Sequence, residues 1–86
     1  MRSAPKSLEL LASPNPVKEA LNLKVKGLQT QGVIKIYTIE GKPIYTKQIA
    51  KDGNLKIATD RFSPGVYFIM LTLKDGTFKH FKFVKI

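Results

Sequence analysis

The sequence predicts an all-β fold, an antiparallel sandwich of seven strands packed as two sheets. Three observations carry that expectation. Apolar and polar residues alternate with period two along most of the chain. Turn signals separate the alternating runs, whose starts recur roughly every 10 to 13 residues, the rhythm of an all-β sandwich or barrel. No window carries a helical apolar stripe, and β-branched and aromatic residues crowd the periodic segments. The 86 residues suit one domain, and a hydrophobic share of 43 % is high enough for a packed core. Residues 1–6 read as a lead, disordered or left from cloning, and residues 7–86 as the domain.

The strands are expected near 7–12, 20–26, 33–39, 43–50, 54–58, 66–73 and 77–85. The first runs into Ser13-Pro14-Asn15-Pro16, where two prolines lack N–H donors, so the chain must leave the ladder in an irregular crossing. In the second, Leu21, Leu23 and Val25 alternate with Asn22, Lys24 and Lys26, giving one buried face. A polar loop from Gly27 to Gly32 leads to the third, where Ile34, Ile36 and Thr38 share a face opposite Lys35 and Tyr37. Glu40-Gly41-Lys42-Pro43 and Lys51-Asp52-Gly53-Asn54 read as the turns on either side of the fourth strand. Ser63-Pro64-Gly65 carries the Pro-Gly pair of a type II turn. In the sixth strand Tyr67, Ile69, Leu71 and Leu73 face one way and Val66, Phe68 and Met70 the other, which predicts a central strand buried between layers. Lys74-Asp75-Gly76-Thr77, with Asp-Gly between two apolar runs, is the strongest hairpin signal.

The residue inventory argues against catalysis. Without cysteine there is no disulfide, thiolate metal site or cysteine nucleophile. The sole histidine, His80, has no Ser-His-Asp pattern to complete. Asp52, Asp60 and Asp75 stand apart at turns, where Asp commonly bonds its own backbone, and no glycine cluster precedes a helix that would cradle phosphate. No catalytic residue, metal site or cofactor is therefore predicted. No stretch approaches the roughly 18 apolar residues of a membrane span. The start, Met1 to Ser7, has no apolar core after its charge and does not read as a signal peptide.

A net charge of +9 suits an anionic partner: nucleic acid, an anionic membrane or glycolipid, or an acidic protein. Lys24, Lys26, Lys35, Lys79, Lys82 and Lys85, interleaved with Tyr37, Tyr45, Tyr67, Phe68, Phe78, Phe81 and Phe83, have the makings of a stacking platform for single strands. The same residues read more simply as a solvated face over an aromatic core, so no nucleic acid is expected. A carbohydrate-binding sandwich from a secreted hydrolase is the alternative; it needs two or three tyrosines coplanar on one exposed face. From Thr77 to Ile86 the chain carries three lysines and no acid, and it ends in the alternation Phe81-Lys82-Phe83-Val84-Lys85-Ile86. That reads as a strand displayed for a partner by strand addition, or as one that completes the sandwich. An edge-strand dimer is left open.

Ser13-Pro14-Asn15-Pro16, Leu21-Asn22-Leu23, Val33-Ile34-Lys35-Ile36-Tyr37 with Gly41-Lys42, Phe62-Ser63-Pro64-Gly65-Val66-Tyr67 and Lys82-Phe83-Val84-Lys85 follow one another in this order. Together they resemble the type A C-terminal sorting domain of the type IX (Por) secretion system over about residues 12–86. The segment Thr38-Ile39-Glu40 departs from the Asp or Asn often found there in the family. The resemblance implies an immunoglobulin-like sandwich at the C-terminal end of a cargo, non-catalytic, recognised in the periplasm and exported across the outer membrane to the cell surface or beyond. It implies as partners the type IX machinery, a sortase-like cysteine peptidase cutting upstream of about Leu8, and an N-terminal cargo domain in the parent chain. By position Pro14, Asn15, Pro16, Gly41, Gly65 and Tyr67 match family motifs and read as fold residues. Recognition by the machinery is expected at Lys82, Phe83, Val84, Lys85 and Ile86.

Overall fold

A computed structural model describes residues 8–86; the expected lead at 1–6 lies outside them. Seven strands follow in order: β1 Glu9–Ser13, β2 Ala20–Lys26, β3 Gly32–Thr38, β4 Pro43–Ile49, β5 Gly53–Ala58, β6 Gly65–Leu73 and β7 Phe78–Lys85. They form two antiparallel sheets, β1-β2-β5 and β4-β3-β6-β7. This is an immunoglobulin-like sandwich in which the fourth strand lies beside the third. Period-two alternation becomes the core directly. Leu21, Leu23 and Val25 of β2 and Ile57 of β5 face Ile34 and Ile36 of β3, Tyr67, Ile69, Leu71 and Leu73 of β6, and Phe83 of β7.

Two hairpins share one turn chemistry. At β3–β4, Gly41 N–H donates to the Thr38 carbonyl at 2.9 Å and Thr38 N–H to that of Lys42 at 2.8 Å. At β6–β7, Gly76 N–H donates to the Leu73 carbonyl at 2.9 Å and Leu73 N–H to that of Thr77 at 2.7 Å. In each, a type I turn is followed by a glycine at positive φ, 89° at Gly41 and 96° at Gly76, the three-residue hairpin closed by a bulge. Glycine is required there because a Cβ crowds the backbone at such φ. The Asp75 carboxylate accepts from Thr77 N–H at 2.9 Å and stiffens the second turn.

One expectation needs correction. The strand β6 is central within its sheet, between β3 and β7, but it is not buried between layers. Among the described residues no third layer covers its outward side chains: Phe68 is 39 % exposed, and Val66 and Met70 are half-buried. Asp52 bonds a distant loop, a contact that its place at a turn does not announce. Its carboxylate accepts from Leu28 N–H at 2.7 Å and Gly27 N–H at 3.1 Å, tying the β2–β3 loop to the β4–β5 turn.

Candidate functional site

The irregular crossing predicted at Ser13-Pro14-Asn15-Pro16 is where the chain passes from one sheet to the other. Up to Ser13 it pairs with β2; from Val17 it forms a parallel bridge to Lys85 of β7. The peptide bonds before Pro14 and Pro16 are both cis. Val17 N–H donates to the Val84 carbonyl at 2.7 Å, and Ile86 N–H donates to the Val17 carbonyl at 3.0 Å. Just before them along β7 the Asn15 side-chain carbonyl accepts Val84 N–H at 3.0 Å. The first and last motifs of the sequence are thus one place in space.

The geometry follows from the pairing register. Leu73 N–H bonds the Thr77 carbonyl, and hydrogen-bonded pairs recur at every second pair from there, so Val84, seven pairs further along and in the alternate set, turns its backbone away from β6 towards the sheet edge. An edge carries unpaired N–H and C=O groups, a template for pairing with other chains. Residues 15–17 cover that edge over Val84 and Ile86. The Val17 side chain is fully buried beneath the crossing.

The five tail residues divide by face. Lys82 and Val84 point outward, Val84 being 37 % exposed, and Ile86 is 59 % exposed. Phe83 and Lys85 point inward: Phe83 is 1 % exposed and stacks on Tyr67 at 5.6 Å between ring centroids. Lys85 is also buried, its ammonium donating to the Ile86 backbone oxygen at 2.9 Å. The tail is therefore partly surface and partly core.

The remaining family-motif residues sit at turns and packing contacts of the sandwich. Gly65 opens β6 at φ 150°. The Tyr67 hydroxyl donates to the Ser63 carbonyl at 2.6 Å, the tyrosine corner of immunoglobulin-like domains. Its ring also packs on Phe62, with centroids 5.2 Å apart. Two residues on, where antibody domains carry a cysteine, stands the fully buried Ile69. Aliphatic packing replaces the disulfide.

The carbohydrate platform does not form. Tyr67 is buried and Tyr45 pairs with the inward Ile36, where desolvation raises its pKa above the ordinary value. Only Tyr37 lies on the outer face. The basic residues are likewise dispersed: Lys24 and Lys26 on the outer face of the three-stranded sheet, Lys35 and Lys82 on that of the four-stranded sheet, Lys85 inside. Two buried residues went unnoticed in the sequence. Thr59 sits fully buried in the β5–β6 loop, its N–H donating to the Glu19 carbonyl at 2.9 Å. A Cβ at Gly32 would lie 2.8 Å from Leu73 Cδ2 and 3.2 Å from the Thr72 carbonyl, so a side chain at the start of β3 would have to displace the leucine methyl and crowd that carbonyl. A loop glycine flanked by Gln31 gives no sequence signal of that packing.

A family model for the secretion system C-terminal sorting domain matches residues 12–85, from the end of β1 through Lys85. The chain belongs to this family. Comparison with curated proteins finds no match. Membership makes the domain a C-terminal sorting signal for secretion by the type IX system, towards the cell surface or the extracellular space, in a family of addresses rather than catalysts. The match begins and ends at the two segments that meet in space.

Proposed function

We propose that this domain is the address of a type IX cargo: read in the periplasm, carried with its cargo across the outer membrane, and then released by a sortase-like cysteine peptidase cutting upstream of about Leu8, with the cargo attached to the cell surface. The outward half of the tail, Lys82, Val84 and Ile86, makes first contact with the machinery. Phe83 and Lys85 hold that half in register from within. The observation that carries this reading is the family match over nearly the whole chain, ending on the strand that the Pro14-to-Val17 crossing pins to the sandwich. A fixed strand is recognised at lower entropic cost than a frayed one, since ordering a backbone residue costs about 1–2 kcal/mol.

The test is a secretion assay. Residues 4–86 are fused behind a periplasm-targeted fluorescent protein in a strain with a working type IX system, beside a Lys82→Ala/Ile86→Ser copy that alters no buried side chain. The expected result is reporter in the medium or on the surface for the unaltered fusion and retention of the double variant. A folded, unaltered fusion that stays in the periplasm overturns the reading.

A further inference from the structure

The two outer faces of the sandwich differ in chemistry. On the three-stranded sheet the outward residues of β2 and β5 are, besides Ala20 and Ala58, Asn22, Lys24, Lys26, Asn54 and Lys56; β1 adds Glu9 and the 56 % exposed Leu11, so this face is mostly polar, with one exposed leucine. On the four-stranded sheet the outward residues of β6 and β7 are largely apolar or aromatic, paired across the strands as Val66 with Val84, Phe68 with Lys82, Met70 with His80 and Thr72 with Phe78. The strand β3 adds Tyr37 opposite Phe68 and Lys35 opposite Met70. Phe78 is 54 % exposed and its ring stacks on that of His80 at 5.8 Å. The four strands contain no Asp or Glu, against five lysines and a histidine. At the β4 side an open recess of about 600 Å³ is lined by Val33, Lys35, Tyr37, Gln48, Thr72 and Lys74 among others.

We propose that this acid-free, aromatic outer face of β4-β3-β6-β7 is a docking surface for an acidic, apolar-bearing protein surface of the export machinery. The proposal rests on the sorting reading and adds to it a second contact away from the tail's edge. Charge decides the sign of the partner: Lys35 and Lys82 stand among apolar groups with no acid in the sheet to neutralise them, and the chain carries +9 overall. The same net charge disfavours a second copy, because like-charged faces repel. Two lysines are few for a phosphate-rich partner: an anionic membrane contributes only about 1 kcal/mol per Lys near its surface, and nucleic-acid affinity grows with each phosphate neutralised. Apolar contact must therefore supply most of the attraction, which a protein partner provides. Four strands at about 4.8 Å and seven residues at about 3.4 Å give a face roughly 19 by 24 Å, small as interfaces go. An interface of that size suits transient contact, as a cargo that must be released requires. The recess offers a place for one anchoring side chain of the partner.

The test uses the same fused reporter with Phe78→Ser, Lys35→Glu and Lys35→Arg, and a photo-crosslinking residue placed at position 78. Lys35→Glu changes an exposed side chain and leaves the core alone, so it tests the face even if a phenylalanine variant is poorly folded. Expected is about a tenfold loss of export for Lys35→Glu and for Phe78→Ser, the scale of losing one interface anchor, with unchanged melting and with Lys35→Arg exported normally. The crosslink is expected to a component of the export machinery and to disappear with Lys35→Glu. Normal export of a folded Lys35→Glu and Phe78→Ser, or a crosslink only to lipid or to a second copy, overturns the docking face while leaving the sorting reading intact. Failure of the unaltered fusion to leave the periplasm overturns both, and is told apart because it needs no variant.

Discussion

Tyr67 shows how one motif residue serves the fold twice. Its hydroxyl closes the corner on Ser63 while its ring joins Phe62 and Phe83. Tyr67→Phe removes the hydroxyl and keeps the packing, so it should lower stability by about 1 kcal/mol, the net value of one hydrogen bond, as a shift in denaturant midpoint. Phe83→Ala empties the core beneath and should cost about 3–5 kcal/mol. A domain of this length has about 4–13 kcal/mol in all, so that variant should lose a large share of its stability, read as a marked fall in the melting temperature by circular dichroism. Asp75 gives a pH signature. The Thr77 backbone N–H, and after it the Thr77 hydroxyl, hold its carboxyl below the ordinary value. A depressed folded-state pKa means that the stabilisation is present above the unfolded value, about 4, and lost as pH falls through the lower folded one. The stability difference between the native chain and Asp75→Ala should shrink on acidification through that window. A difference that stays constant there would mean that the hairpin does not depend on the charge.

At the scale of elements, the strands were legible because each buried face is written at every second residue: Leu21, Leu23 and Val25 can only alternate inward and outward. The hairpins were legible from Gly41 and Gly76. What the sequence did not reveal were pairings between distant segments, since nothing at Asn15 names Val84 and nothing at Asp52 names Leu28. The outward residues of β6 misled for a related reason: an apolar side chain looks the same whether a third layer or a partner covers it. The crossing is the element with the clearest local test. Asn15→Ala deletes the acceptor of Val84 N–H but leaves both Val17 bonds and the core. Hydrogen exchange should accelerate at Val84 and the neighbouring Ile86, by roughly the factor of five to ten that about 1 kcal/mol produces, with little change in β2 or β3. Uniform acceleration across the domain would instead make Asn15 a contributor to global stability alone.

For the whole molecule, the crossing makes the two ends of the domain a single structural unit, and that bears on where a cargo can be cut away. Leu8, Leu10, Ala12 and Val17 all pack on the common core, and Val17 and Leu8 are buried. Burying a Val or Leu side chain fully contributes about 1.5–3 kcal/mol, so removing this group together with β1 takes away most of the stability of so small a domain. It would also uncover the β7 edge at Val84 and Ile86. A fragment starting at Leu8 should therefore retain dispersed amide resonances and a cooperative melt, whereas residues 18–86 should lose both. Cleavage upstream of about Leu8 would then leave an intact domain, and cleavage after Val17 would destroy it together with the tail that we propose is read. A cooperative fold in residues 18–86 would show that β7 keeps its place without the crossing. The proposed fixed presentation of Lys82, Val84 and Ile86 would then rest on β6 alone.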